Sequence, residues 1–160
     1  MIDLIPEHLI RFEIDFQMVV YHLFQLGLAF LFALPIGLNR ESCSNGAGLR
    51  TFPLVAMASC AFMLIAMNAY SKGDGEAEAR VMYGIITGIG FIGGGAIFKQ
   101  SDGASGTATA AGIWNTGAIG IAVAYQNYEI AIILSILNFC IFQFAKQIKP
   151  KKTKELDDWR

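Results

Sequence analysis

The residues best suited to chemistry in this chain flank one polar loop, and they are Arg40, Glu41, Arg50 and Thr51. The planar guanidinium of arginine binds a carboxylate, a phosphate or the last carbonyls of a helix through paired hydrogen bonds. We therefore expect the arginines and the glutamate to form an ion-pair network where two apolar segments end. The alternative is that the arginines only mark one membrane face and anchor to lipid phosphates. The glycines and alanine just before Arg50 favour close packing there, which simple anchors do not need.

A second candidate is the small-residue stretch from Gly106 to Trp114, which Asn115 follows. Its hydroxyls and small side chains allow tight helix contacts with interhelical hydrogen bonds, the commoner reason for such a composition. Alternatively, Thr107, Thr109 and Asn115 line a narrow polar path. Tryptophan prefers membrane interfaces, so Trp114 is unusual in the middle of an apolar segment. We expect it to fill space left by the glycines of a neighbouring helix.

The sequence lacks the patterns of catalytic triads, phosphate-binding loops and metal-ligand spacings. The G-x-G-x-x-G spacing at 88–93 lies inside an apolar segment without a preceding strand, so it does not indicate a dinucleotide site. We expect no enzyme activity and no catalytic, cofactor-binding or metal-binding residues. His22 is the ionisable side chain well inside an apolar segment. Such residues are often functional, but a neutral histidine bonded to a neighbouring helix is the simpler interpretation.

The elements that must position these residues are apolar blocks. Hydrophobic residues make up 54% of the chain and charged residues 16%. The charges cluster at the N-terminus, in loops and in the tail, which leaves blocks close to the ~20 residues that cross a bilayer. We predict an all-α polytopic membrane bundle with five transmembrane helices, at about 16–38, 51–70, 81–98, 107–125 and 130–145. Residues 1–146 form this transmembrane domain, and 147–160 form a short basic tail.

Basic residues predict the orientation of the bundle, because they are enriched in cytoplasmic loops. Nine of the twelve Lys and Arg residues fall in the 39–50 loop, the 99–106 turn or the tail, which five crossings place on one side. We therefore expect the C-terminus in the cytoplasm and the N-terminus outside. The first apolar block is too long for a signal peptide and has no basic segment before it, so we expect it to remain as the first helix.

The third predicted helix is unusually rich in glycine, with six glycines in residues 84–98. Glycine costs a helix ~1 kcal/mol against alanine in water, but in a membrane it lets helix backbones approach closely. We expect this helix to be the central, closely packed one. Its predicted packing residues are Gly84, Gly88, Gly90, Gly94 and Gly95.

At these residues the chain resembles the membrane domain of the MgtC/SapB family over about residues 15–125. The resemblance rests on several motifs in order, at 37–41 (GLNRE), 47–51 (AGLRT), 88–95 (GIGFIGGG) and 107–114 (TATAAGIW). It implies a multi-pass protein of the bacterial inner membrane, linked to growth at low magnesium and to virulence. The best-developed mechanism in the family is regulatory, by binding and restraining the F-type ATP synthase, whereas other members are described only as transporters or acid-resistance proteins.

Three departures limit what the resemblance implies. Asn39 stands where the family usually has an acid before the arginine, and Ala77–Arg80 replaces the family's Asp-Pro-x-Arg. The third departure is at the C-terminus, where we expect the soluble ACT-like domain of the longer members to be missing.

The sequence thus favours a membrane protein that acts by binding, either to itself as a homo-oligomer or to another membrane protein such as the ATP synthase. Nucleic acid is not an expected partner, and no cofactor is expected. The alternative is a small oligomeric transporter or channel for Mg²⁺ or another small solute. A purely structural subunit is a third interpretation, which predicts that the arginines tolerate substitution.

Overall fold

The computed structural model describes residues 15–41, 47–69, 75–100 and 103–148. Within them the chain forms five α-helices and one short hairpin. The helices are α1 (Phe16–Glu41), α2 (Thr51–Ala69), α3 (Gly75–Gly95), α4 (Thr107–Ala124) and α5 (Tyr128–Ile148), and the strands are β1 (Phe98–Gln100) and β2 (Gly103–Ser105). The all-α class and the number and order of helices agree with the prediction. Two helices, α1 and α2, are long and apolar enough to cross a membrane.

Two helices extend into segments that the sequence predicted to be loops. Helix α1 continues through Asn39 and Arg40 to Glu41, so the arginine is presented from a helix rather than from a loop. Helix α3 begins at Gly75, inside the predicted loop, because Glu76 and Glu78 in its first turn complement the helix dipole. Glu76 also pairs with Arg80 one turn later, which supports the same turn.

The turn before α4 is a two-stranded antiparallel hairpin in which Phe98 pairs with Ser105. Gly106 follows it with a φ of 89°, a left-handed conformation that favours glycine. A Cβ atom at Gly106 would overlap the carbonyl oxygen of Ala96. This glycine therefore lets the chain turn sharply from the hairpin into α4.

Helix α4 is the centre of the bundle. Eleven of its eighteen residues are buried, and it packs against all four other helices. By contrast, α3 buries only Ile85, Ile89 and Gly93 and packs mainly against α2 and α4. The expectation that the glycine-rich α3 is the central helix is therefore wrong. A helix with one narrow buried stripe lies at the edge of a bundle, whatever its glycine content.

The glycines that allow close packing inside the chain lie on α4 instead. A Cβ atom on Gly112 would lie 2.6 Å from Cζ of Phe142, one on Gly117 would overlap Cδ1 of Ile89, and one on Gly120 would overlap the carbonyl oxygen of Ala56. The five predicted packing glycines of α3 have no atom within 4 Å of such a Cβ. Among the described residues, no other helix packs closely on these five positions.

Helices α1 and α5 meet around a proline. Pro35 lies inside α1 and has no N–H to donate to the carbonyl of Leu31. Beside it, the Ser135 hydroxyl donates a 2.6 Å hydrogen bond to the carbonyl oxygen of Phe32. Phe32 is the residue after Leu31, so the bond holds α5 against the turn of α1 that the proline weakens and helps to fix the register of the two helices.

These contacts predict opposite effects for two Gly-to-Ala substitutions. We expect Gly120→Ala to destabilise the chain by about 1–3 kcal/mol, because its methyl group meets the backbone of α2. Gly27→Ala in α1, where the added Cβ meets nothing within 4 Å, should be neutral or stabilise by up to ~1 kcal/mol. Thermal unfolding in one detergent, followed by circular dichroism, measures both. Equal stability of the two variants would contradict this account of α4.

Candidate functional site

Arg40 is the centre of the polar site at the C-terminal end of α1. Its Nη2 atom donates a 2.5 Å hydrogen bond to the Thr109 hydroxyl in the first turn of α4. Its guanidinium carbon also lies 4.7 Å from the centre of the Phe142 ring on α5. The arginine thus makes a charge-assisted hydrogen bond to one helix and a cation–π contact with another.

Phe142 extends this arrangement to α2. Its ring is buried and meets the Phe52 ring edge-on, with 6.5 Å between centroids and 80° between planes. Gly112 on α4 provides the space, because a Cβ atom there would meet both rings. Edge-to-face pairs of this kind are favourable beyond the area they bury. Arg40, Phe142 and Phe52 therefore join α1, α5, α4 and α2 at one level of the bundle.

Glu41 serves a different purpose from the one predicted. Its Oε2 atom accepts a 2.8 Å hydrogen bond from the backbone N–H of Leu49, and its side chain lies against Gly48. Gly37, one turn earlier, lies against the same segment, and a Cβ atom there would be 3.1 Å from Cα of Leu49. The carboxylate thus holds the approach to α2 against the end of α1.

The structure does not bring the three predicted ionic residues together. Glu41 forms no ion pair with Arg40 or Arg50 in the part of the chain that the structure describes. Arg50 is exposed in the turn before α2, and Thr51, the first residue of α2, is half-buried. The expected ion pairs of Glu41 with the two arginines are therefore not found among the described residues. The backbone of Leu49 competes successfully for the carboxylate because α1 extends far enough to present Glu41 to it.

The residues of the second cluster lie on different sides of α4. Thr109 is buried and bonded to Arg40, whereas Thr107 is exposed. Asn115 is half-buried and lies between Thr107 and Thr109 around the axis of the helix. Trp114 is 53% exposed and lies beside Ile86 of α3, so it does not fill space left by glycines. Neither Trp114 nor Asn115 makes a side-chain hydrogen bond within the described residues.

Two further bonds close the contact between α1 and the rest of the bundle. Near Arg40, Asn39 donates from Nδ2 to Oε1 of Gln143, at 2.8 Å. At the other end of α1, the buried Gln25 amide donates to the carbonyl oxygens of Val123 and Ala124, each at 3.4 Å. Asn39 therefore bonds α1 to α5.

A tyrosine joins α3 to the turn after α4. The Tyr125 hydroxyl donates a 2.8 Å hydrogen bond to Oε2 of Glu78. Desolvation, then this bond and the charge of Glu78, raise the pKa of Tyr125 to about 12. The Nδ1 atom of His22 is buried and has no hydrogen-bond partner among the described residues, so the expected bond to a neighbouring helix is not found there.

The chemistry that these contacts allow is binding and helix positioning. In the described ranges no three His, Cys, Asp or Glu side chains come together as metal ligands. Sequence reasoning missed Phe52, Phe142 and Gly112, which complete the site around Arg40. An aromatic residue in an apolar block carries no sign of an arginine partner. The i, i+5, i+8 spacing of Gly112, Gly117 and Gly120 was the available signal for the central helix.

The Arg40–Thr109 bond predicts a measurable difference between two threonines. Thr109→Val keeps the shape of the side chain but removes the acceptor, so we expect a loss of about 1–3 kcal/mol in unfolding free energy. Thr107→Val, two residues earlier and exposed, should change it by no more than ~0.5 kcal/mol. Denaturant unfolding in detergent compares them. If both variants unfold alike, the hydrogen bond adds nothing to stability.

Known proteins share this sequence pattern. The chain is 33% identical over 138 residues to "Putative magnesium transporter YhiD" of Escherichia coli, an alignment of 82% of this chain and 63% of that protein. It is 31% identical to protein SapB of Bacillus subtilis, over 84% of this chain and 62% of that protein. It is also 31% identical to protein MgtC of Salmonella typhimurium, over 74% of this chain and half of that protein.

The chain therefore spans about half to two thirds of the length of these relatives. No solved structure matches it significantly. The MgtC family model matches residues 26–151, which include Arg40, the glycine-rich α3 and Phe142. The chain belongs to the MgtC family.

Proposed function

We propose that this chain is a multi-pass protein of the bacterial inner membrane whose five helices all cross the bilayer. The helices are 18 to 26 residues long, which suits the ~20 residues that a membrane crossing needs. The basic residues of the loops and tail favour a cytoplasmic C-terminus and an N-terminus outside. Residues 1–146 form the membrane domain in this proposal, and 147–160 form the cytoplasmic tail.

Its proposed activity is to bind another protein within the membrane, and the observation that carries this is the uncovered face of α3. Gly90 and Gly94 lie one turn apart on this face, with open space beside both. Tyr83 and Phe91 flank them and are 74% and 85% exposed. Small residues let membrane helices approach closely, and large neighbours then pack around the contact.

The proposed partners are a second copy of the chain or another membrane protein. The family resemblance makes the F-type ATP synthase a candidate, with restraint of that enzyme as the consequence. The link to low-magnesium adaptation and virulence follows from the same resemblance. Arg40 and its neighbours would then act indirectly, by holding α4 in the position against which α3 packs.

A leucine on the uncovered face tests this proposal. Gly94→Leu should reduce self-association at least tenfold, because the added side chain forces the paired helices apart. Gly27→Leu is the matched control, since it adds the same bulk to α1 where nothing lies within 4 Å. Energy transfer between labelled copies in vesicles at graded protein-to-lipid ratios measures association.

Where the wild type does not self-associate, the same pair of variants is compared for capture of solubilised ATP synthase. Equal behaviour of Gly94→Leu and wild type in both assays would contradict a binding role for this face.

The alternative function is transport, and the observation that favours it is the magnesium transporter in the name of the E. coli relative. Against it, Thr107, Thr109 and Asn115 point in different directions from α4 and do not line one path. The positively charged Arg40 also lies half-buried where α1 ends, and it would repel a cation there.

Flux through sealed liposomes separates the two functions. We expect Mg²⁺ entry into protein-containing liposomes, read by a Mg²⁺-sensitive dye inside, to match that of protein-free liposomes. An ionophore added at the end confirms that the dye responds. Uptake above this background that Arg40→Gln abolishes would make transport the function and place Arg40 on its path.

A further inference from the structure

An apolar groove of about 640 Å³ runs between α2 and α3. Its volume lies within the ~300–1,000 Å³ typical of small-molecule sites. Leu54 and Phe62 of α2 form one wall, and Gly84, Gly88 and Ile92 of α3 form the other. The hydroxyl of Ser59, also in the lining, donates to the carbonyl of Val55 in its own helix. Because this hydroxyl is already hydrogen-bonded, the groove can accept an apolar ligand without leaving the hydroxyl unpaired.

Two exposed cations lie at one end of this groove. The N–H of Leu54 donates to the carbonyl of Arg50, so Arg50 lies one turn before Leu54 on the same face of α2. Lys99 lies four residues after the end of α3. Because α2 and α3 are consecutive neighbouring helices, the start of α2 and the end of α3 share one end of the bundle. Arg50 precedes the lining residue Leu54 and Lys99 follows the lining residue Ile92, so both cations lie beyond the groove towards that end of the bundle.

Neither cation is neutralised within the described residues. Arg50 and Lys99 are both exposed, and neither side chain makes an ion pair or hydrogen bond in those ranges. The nearest described carboxylate in sequence to Arg50, Glu41, is bonded to the Leu49 amide. Among the described residues, this end of the groove thus has two cations without a direct carboxylate partner, next to an apolar channel. The cations suit the phosphate of an anionic phospholipid, and the apolar groove suits its acyl chain.

We propose that this groove binds an anionic phospholipid, with an acyl chain against Gly84 and Gly88 and the phosphate between Arg50 and Lys99. Basic sites at the ends of grooves between membrane helices are suited to anionic headgroups. The missing side chains of the two glycines give the acyl chain its room. Arg50 thereby gains a role that the Arg40 site does not provide.

A second copy of the chain fits this groove less well than a lipid. Copies related by a twofold axis along the membrane normal lie at the same depth. Their Arg50 and Lys99 side chains would then meet like charges. The face proposed above for protein binding is a different one, because Gly90 and Gly94 lie about a third of a turn away from Gly84 and Gly88 around α3. The lipid site therefore rests on the membrane crossing proposed above but not on the proposed protein-binding face.

The test uses a fluorescent reporter in the groove of the full chain. Phe62→Trp supplies it in a background with Trp114→Phe and Trp159→Phe. The protein is placed in vesicles that contain phosphatidylglycerol or phosphatidylcholine with brominated acyl chains, which quench tryptophan on contact. We expect brominated phosphatidylglycerol to quench the reporter more strongly than the same fraction of brominated phosphatidylcholine.

Charge-removing variants then locate the headgroup. Arg50→Gln should lower the preference for phosphatidylglycerol about fivefold, the effect expected for one basic residue near an anionic lipid. Adding Lys99→Gln should remove most of the remaining preference for phosphatidylglycerol. Arg80→Gln, at the opposite end of α3 and paired with Glu76, is the control and should leave the preference unchanged.

Filling the groove tests the acyl-chain part of the proposal. Gly88→Leu should reduce quenching by both brominated lipids, because its side chain occupies the groove. Equal quenching by the two lipids in the wild-type groove, or a preference that survives loss of both cations, would overturn the proposal. So would a reporter that no brominated lipid quenches, since a protein segment such as a second copy would then fill the groove.

Discussion

The Arg40 guanidinium is the point at which most of the bundle is held together. It stacks on Phe142 and donates to Thr109, and Phe142 in turn meets Phe52. Arginine suits this place because its fork can donate in the plane of the guanidinium while its flat face packs on an aromatic ring. Four helices must therefore keep their relative positions to keep these contacts.

The second constraint is how closely helices can approach α4. Gly112 makes room for the two phenylalanine rings, Gly117 for Ile89, and Gly120 for the backbone of α2. Packing at such short distance contributes dispersion contacts over whole helix faces, which matter more where lipid removes the hydrophobic drive between helices. Helix α3 lies at the edge of this closely packed bundle. It contacts the centre along one stripe and is tied at its beginning by the bond from Tyr125 to Glu78.

Helix α3 consequently has free surface on two sides, and the proposed functions divide between them. Gly90 and Gly94 form a face suited to another membrane helix. Gly84 and Gly88 form one wall of the groove that ends near Arg50 and Lys99. In this view the glycines of α3 are spaces for partners, whereas those of α4 are spaces for the chain itself. The arginines divide likewise, with Arg40 bonded inside the bundle and Arg50 exposed.

The sequence by itself determined the helical class, the number and order of helices, the family, and the importance of Arg40, because apolar block length and local motifs are written in neighbouring residues. It did not determine which glycine-rich helix is central or which arginine bonds to the other helices. Both depend on what lies opposite each residue, and Phe142 is more than a hundred positions from Arg40 along the chain. Helices α3 and α4 are both rich in glycine, so composition does not tell the helix packed inside the chain from the helix with an uncovered face. Only the tertiary structure decided between them, because it shows which glycines lie against atoms of another helix and which have open space beside them.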